Sequence, residues 1–204
     1  MNIIFYYFDL LGTAVFAISG VLLAAQKRMD FIGVLTLATA VAIGGGTTRD
    51  LLLGVETIFW IANNTYLYVI FASAILGILF LEIFHRLNKR YWIPIFDAIG
   101  LAVFLGIGVS KSLDYGTSSL VAVLMGTLTG VGGGIIRDLL AREIPMVLRK
   151  EIYATACLLG GSVMVIALYF GTSHLVALLL GMGITLIIRL IAIAYQLRLP
   201  ELKL

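Results

Sequence analysis

Seven apolar runs separated by short polar interruptions account for most of the chain: residues 4–25, 31–53, 65–85, 93–111, 117–141, 152–171 and 174–196. Each is close to the roughly 20 residues that an α-helix needs to cross a hydrocarbon core about 30 Å thick. Backbone N–H and C=O groups left unpaired in lipid are costly, so runs of this length read as helices joined by short loops. The three prolines, Pro94, Pro145 and Pro200, fall at the edges of runs or between them. Any break in mid-membrane therefore falls to glycine.

Composition agrees with this reading and removes alternatives. Of 204 residues, 61% are hydrophobic and 12% charged, against about 45–50% and about 25% in soluble domains. Fourteen basic and eleven acidic side chains are too few to cover a soluble surface, and the mean hydropathy is +1.10. A soluble enzyme, a disordered chain, a coiled coil and a nucleic-acid-binding domain are all poor fits. The pI of 9.1 rests on a net charge of only +3, and the excess sits in the interruptions between runs. No basic segment precedes the first run, so a cleavable leader is not expected. The lone Cys157 lies in an apolar run and has no intrachain disulfide partner.

The Lys and Arg between the runs are concentrated in alternate loops, on one side of the bilayer. Lys27 and Arg28; Arg86, Lys89 and Arg90; Arg142, Arg149 and Lys150; and Arg198 and Lys203 lie on one side, ten in all, against Lys111 alone on the other. Basic residues are retained in the cytoplasm, so seven crossings put the N-terminus outside and the C-terminus inside. Trp60, Tyr66 and Tyr68 on the outer side, and Tyr91 and Trp92 on the inner side, suit interfacial belts. Arg189, two or three turns before the cytoplasmic end of the last run, is expected to snorkel. The cytoplasmic bases suit contact with anionic lipid, although topology alone accounts for them.

The chain also repeats itself at a constant offset of 88 residues. Phe8-Asp9-Leu10-Leu11-Gly12-Thr13-Ala14-Val15-Phe16 corresponds to Phe96-Asp97-Ala98-Ile99-Gly100-Leu101-Ala102-Val103-Phe104. Gly44-Gly45-Gly46-Thr47-Thr48-Arg49-Asp50-Leu51-Leu52 corresponds to Gly132-Gly133-Gly134-Ile135-Ile136-Arg137-Asp138-Leu139-Leu140. Shared Leu and Val follow from composition, but a shared Gly-Gly-Gly-x-x-Arg-Asp does not. Each copy holds three runs, and an odd number sends the second copy in from the opposite face. The expected fold class is an all-α polytopic membrane protein with seven transmembrane helices. Two inverted three-helix repeats, residues 1–91 and 92–172, precede a seventh helix and cytoplasmic tail over 173–204.

Candidate chemistry falls on the repeated motifs. Three consecutive glycines cost helix propensity, about 1 kcal/mol each against Ala, and free backbone groups to face a ligand or water. Close packing through small residues is one explanation, and Ala38-x-x-x-Ala42 and Gly126-x-x-x-Gly130 just upstream suit it. Packing needs a small residue only every fourth position, so a broken, pathway-lining helix is the favoured one.

The charges sort by depth. Asp9 lies about 8 Å below the outer edge with Arg49 at a similar depth, and Asp97 and Arg137 share a depth near the inner edge. Expected pairs are Asp9–Arg49 and Asp97–Arg137. Asp50 and Asp138 are then less compensated, because neighbouring helical side chains point about 100° apart. Four acids and two arginines sum to −2, which favours a cation if they share one aqueous path. The alternative is that all six form structural ion pairs. His85 and His174 lie at run ends without metal-ligand spacing, and no nucleophile–base set or phosphate loop occurs. Neither catalysis, a cofactor nor a structural metal is expected.

The segment Gly44-Gly45-Gly46-Thr47-Thr48-Arg49-Asp50-Leu51-Leu52-Leu53-Gly54, followed by Phe59-Trp60, resembles the bacterial UPF0126 family, which is related to the trimeric intracellular cation (TRIC) channels. The resemblance covers essentially the whole chain. It implies a homotrimer in the bacterial inner membrane with one hourglass pore per protomer, passing K⁺ and Na⁺ transiently. Membrane lipids are the other partners, and nucleic acid is not one. The pathway residues implied here are Gly44, Gly45, Gly46, Arg49, Asp50, Gly132, Gly133, Gly134, Arg137 and Asp138, with Asp9 and Asp97, the triplets kinking the second and fifth helices. The animal channels carry a lysine-containing motif on the fifth helix, linked to gating and inositol-lipid binding. This chain has Arg137-Asp138 instead, so that lipid role does not carry over. The same bacterial family is also labelled a glycine transporter. A secondary transporter of glycine or another small amino acid is therefore the alternative, with the substrate carboxylate on amides freed by the triplets.

Overall fold

The structure, a computed structural model, describes residues 3–86, 89–149 and 151–200. These form α1 (Ile3–Gln26), α2 (Phe31–Leu52), α3 (Phe59–Ala62), α4 (Thr65–Leu79), α5 (Leu81–Arg86), α6 (Lys89–Asp114), α7 (Ser119–Leu140), a 3-10 turn at Met146–Leu148, α8 (Ala154–Tyr169) and α9 (His174–Tyr195). Helices α1, α2, α6, α7 and α9 are long and apolar enough to cross a membrane, and α4 and α8 are apolar but shorter. Among the described residues an isolated antiparallel bridge joins Glu151 to Arg198 and holds the tail beside the start of α8. The run at 65–85 divides at Phe80, and α6 begins early enough that Pro94 lies inside it rather than at its edge. His85, the end of that run, lies beyond the described side chains.

Helix starts repeat with the sequence. Asp30 accepts from the Gly33 amide over 2.7 Å at the start of α2, and Ser118, 88 residues on, accepts from Val121 at the start of α7. Such side chains satisfy amides that the first helical turn leaves free. The two helices also stop in register. The residue after each stop is Gly54 at φ 67° in the first copy and Arg142 at φ 56° in the second. Left-handed backbone is unfavourable for a residue with a Cβ, by about 1–2 kcal/mol. Arg142→Gly is therefore expected to raise thermal stability slightly, up to about 1 kcal/mol after the extra chain entropy of glycine. Next to it, Lys27 donates to Glu143 over 2.6 Å and holds that carboxyl below its usual range.

Packing divides the chain into two helix trios, α1–α2–α4 and α6–α7–α8, which meet through α1 on α6 and α2 on α7, while α9 packs on α6 and α8. At the α1–α6 contact the repeat-equivalent rings of Phe16 and Phe104 stack with centroids 5.1 Å apart. Each lies against the other copy's glycine: a Cβ on Gly100 would overlap the Phe16 ring, and one on Gly12 would sit 3.3 Å from Phe104.

The glycine triplets correct the sequence reading. Both α2 and α7 are unbroken through Gly44–Gly46 and Gly132–Gly134. The glycines let two continuous helices cross backbone to backbone. A Cβ on Gly45 would overlap the Thr129 carbonyl oxygen, and one on Gly132 would sit 2.9 Å from the Gly45 Cα. Three small residues in a row are needed because each faces a different neighbour. Gly44 faces Ile136, Gly45 faces Thr129 and Gly46 faces Phe59, while in the second copy Gly133 faces Val41 and Phe16 and Gly134 faces Tyr153. Other small residues are consumed inside the chain as well: Gly20 on Ala38, Gly126 and Gly130 on α6, Gly77 on Val21, and Gly160 against Gly181 and Thr185.

Candidate functional site

The first charged cluster gathers at the C-terminal end of α2, where Arg49 and Asp50 are 1% and 0% exposed. The two bind each other: Arg49 Nε donates to Asp50 Oδ1 over 2.8 Å, and Nη2 lies 2.8 Å from the same oxygen. Their Cβ directions diverge as helix geometry requires, but the long arginine arm crosses the gap. Lys111 Nζ of α6 also donates to Asp50 Oδ1 over 2.8 Å, and the Phe59 amide donates to Oδ2 over 3.1 Å. Asp50, expected to be under-compensated, is thus the best-compensated carboxylate here. Asp9 of α1 accepts from the Tyr66 hydroxyl over 2.8 Å and makes no ion pair with Arg49.

The second cluster repeats the plan at the end of α7. Arg137 Nε donates to Asp138 Oδ1 over 2.8 Å, and the Met146 amide donates to Asp138 Oδ2 over 3.0 Å. Asp138, like Asp50, is fully engaged rather than spare. Arg137 Nη1 then donates to Asp97 Oδ1 and to Ser19 Oγ, each over 2.6 Å. The expected Asp97–Arg137 pair is therefore present, while its counterpart Asp9–Arg49 is not. At the offset of 88, Ser19 is replaced by Ile107, which offers no polar group, and Leu23 by Lys111, which adds a competing cation.

Four further residues belong to these clusters although their sequence context hid them. Lys111, counted as a loop base, sits on the last turn of α6 and reaches Asp50. Its charge makes the first cluster, with Asp9, Asp50 and Arg49, formally neutral, which revises the summed −2. Tyr66, placed in an interfacial belt, is 3% exposed and bound to Asp9. Tyr153 lies within reach of Gly134 and Asp97's side of the second cluster. Arg189 does not snorkel: it is 1% exposed, donates from Nη1 to the Ile152 carbonyl over 2.7 Å, and stacks 4.6 Å over the Tyr153 ring.

Along α6, Asp97 and Lys111 are 14 residues and so about 21 Å apart, which sets the separation of the clusters. Between them lie the Phe16–Phe104 stack and the α2–α7 glycine crossing. A cavity of about 210 Å³ opens beside the first cluster, lined by Asp9, Arg49, Ser110 and Lys111 with Phe5, Phe59 and Tyr66. Asp9 Oδ1, Arg49 Nη1 and Ser110 Oγ have no hydrogen-bond partner within the protein. Among the described residues no group of three or more His, Cys, Asp or Glu side chains is placed to hold a metal ion.

Comparison with known proteins adds a name to this geometry. Residues 6–82 and 94–169 each match the family described as "Glycine transporter", and the two matches begin 88 residues apart. A UPF0126 membrane protein of Vibrio cholerae is 55% identical over 98% of this chain and 83% of its own. The UPF0126 inner membrane protein YadS of Escherichia coli (strain K12) is 52% identical over 98% of this chain and 96% of its own. The chain belongs to the UPF0126 family. This UPF0126 protein is an all-helical membrane protein with the TRIC channel fold. A solved TRIC trimeric intracellular cation channel orthologue from Rhodobacter sphaeroides matches it with a TM-score of 0.90 and 34% identity, over 95% of this chain and 99% of that one.

Proposed function

We propose that this UPF0126 protein is a monovalent cation channel, passing K⁺ and Na⁺ along one pathway within each protomer of a homotrimer. The pathway runs from the first charged cluster to the second, past Gly44–Gly46 and Gly132–Gly134, with Phe16 and Phe104 as the seal between them. The protomer crosses the bacterial inner membrane seven times, as two inverted three-helix repeats (1–91 and 92–172) and a final helix and tail (173–204). Its N-terminus is outside, so the Asp9 cluster is the outer one. The observation that carries this reading is the pair of equivalent buried charge clusters inside one chain, with the Phe16–Phe104 rings and the glycine crossing between them. Buried ionisable residues in membrane helices are costly and concentrate on ion paths. Support also comes from the Rhodobacter sphaeroides neighbour, named for a trimeric cation channel.

Discrete unitary K⁺ currents from purified protein in planar bilayers are the expected result. Silent bilayers with saturable glycine counterflow in liposomes would reject the channel. Lys111 supplies a sharper test. It neutralises Asp50 over 2.8 Å at the outer end of the path, so Lys111→Met is expected to raise cation-over-anion permeability, read as a reversal potential closer to the K⁺ limit in a KCl gradient. An unchanged reversal potential would remove Lys111 and Asp50 from the path.

A second reading, secondary transport of glycine or another small amino acid, is favoured by one observation. The outer cavity is lined by two acids, Asp9 and Asp114, and two bases, Arg49 and Lys111, with both a spare acceptor and spare donors, which suits a zwitterion better than a bare cation. The half-helix amides that were to hold the substrate carboxylate are engaged in unbroken helices, so this reading depends on side chains instead.

A further inference from the structure

The two copies of the repeat act as controls for each other. In the second, Arg137 Nη1 closes directly on Asp97 over 2.6 Å. In the first, the same atom of Arg49 and Oδ1 of Asp9 are both left without a partner, and both residues line the same cavity. Asp97 Oδ2 and Arg137 Nη2 are also unpartnered, but those two residues already bind each other. Asp9 and Arg49 are 2% and 1% exposed, so neither atom is a surface group that bulk solvent serves. A carboxylate oxygen and a guanidinium N–H left unpartnered at such depth are costly, and a molecule carrying both charges would satisfy each.

We propose that the cavity beside the first cluster is a binding site for a small zwitterion, its ammonium on Asp9 and its carboxylate on Arg49. The proposal rests on the second reading above and adds to it the residues that hold each end. The zwitterion takes the place of the direct ion pair that the second copy makes. Ser110 Oγ, also unpartnered and 7% exposed, supplies a further hydrogen bond from α6. Asp50 does not compete for the ammonium, because Arg49, Lys111 and the Phe59 amide already engage it, while Asp114, the other acid of the lining, presents a second carboxylate to the same cavity. Tyr66 leaves Asp9 Oδ1 free by donating to Oδ2, and it orients the carboxylate toward the ligand. Size narrows the class. At about 210 Å³ the cavity is below the ~300–1,000 Å³ of drug-sized sites. The apolar walls from Phe5 and Phe59 leave little room for a long side chain or a bulky ammonium.

The test is equilibrium binding of radiolabelled glycine to the purified full-length protein, competed with betaine, methylamine and acetate. Betaine keeps both charges but carries no N–H for Asp9, and the other two carry one charge each. Saturable glycine binding, with weak competition by all three, is expected. Asp9→Asn retains an oxygen for Tyr66 but loses the charge, and is expected to weaken binding at least about tenfold, the loss of one charge-assisted hydrogen bond. Ser110→Ala, which leaves the ion network intact, is expected to weaken it by a smaller factor and covers the case in which Asp9→Asn does not fold. Glycine binding that both variants retain at full strength would overturn the site while leaving the transport reading in place. No glycine binding to the unaltered protein would overturn both.

Discussion

Gly45→Ala is expected to prevent a stable fold or to lower the thermal midpoint sharply, whereas Gly183→Ala is expected to leave it unchanged or slightly raised. A methyl on Gly45 falls on the Thr129 carbonyl oxygen and within 3.3 Å of the Gly133 amide nitrogen. Those atoms belong to the backbone of α7 and cannot rotate aside, so the whole helix must move. It is not free to do so, because Gly133 packs on Phe16 and Gly130 on the Leu101 carbonyl. Overpacking typically costs about 1–3 kcal/mol, and backbone contact on both sides puts this case at the top of that range. For a chain of this length, about 3 kcal/mol corresponds to about 6–12 °C. Gly183 has nothing within 4 Å of its virtual Cβ, so alanine there gains helix propensity of about 1 kcal/mol without a clash. Gly44 stands between them, since it meets only the flexible end of Ile136. Melting curves in detergent, read by size exclusion, rank the three. If Gly45→Ala melts with the unaltered protein, the crossing is looser than its geometry.

The long helices are legible in the sequence because lipid leaves the backbone no other way to pair its polar groups. Their limits in α2, α7 and α9 fall within a few residues of the apolar runs, since Asp30, Ser118 and Ser173 mark the starts with capping side chains. The division at Phe80 is not marked by proline, and the nearest glycine, Gly77, lies inside α4 and packs on Val21, so hydropathy has no means to find it. The glycine triplets were visible, but their use was not. Three glycines weaken a lone helix and equally permit two helices to touch, and only the partner's position decides between these. The site shows the same limit. Repeated motifs disclosed Asp9, Arg49, Asp50, Asp97, Arg137 and Asp138. The informative positions were those at which the copies differ: Ser19 against Ile107 and Leu23 against Lys111. Those two differences accompany a direct ion pair at Asp97 and none at Asp9, whose Oδ2 accepts from Tyr66 and whose Oδ1 is unpartnered. A positive-inside count treats Lys111 as a loop charge, and the burial of Arg189 against Tyr153 requires a neighbour 36 residues away in sequence.

Arg137→Met is expected to destabilise the protein far more than Arg49→Met, although the two arginines are repeat equivalents. Arg137 is wholly buried and holds Asp97 over 2.6 Å and Asp138 over 2.8 Å. Its removal strands Asp97 with no cation bound to it and leaves Asp138 with the Met146 amide alone. Breaking one buried pair typically costs about 3–5 kcal/mol, because the remaining charge stays in a low-dielectric site. Arg49→Met strands less: Asp50 keeps Lys111 and the Phe59 amide, and Asp9 keeps Tyr66, having had no ion pair with Arg49. The carboxylates, rather than lost packing, are the source of the difference. Arg137→Met combined with Asp97→Asn and Asp138→Asn is therefore expected to recover most of the stability, since neutral amides need no counter-charge and methionine fills much of the arginine's volume. Thermal midpoints of the two single variants and the triple variant measure this directly. Equal losses at positions 49 and 137 would mean that the direct Asp97–Arg137 bond contributes nothing. A triple variant no more stable than Arg137→Met would place the cost in packing instead. If the triple variant folds but no longer conducts K⁺, the second cluster serves the ion as well as the fold, and the two roles of its charges separate within one set of variants.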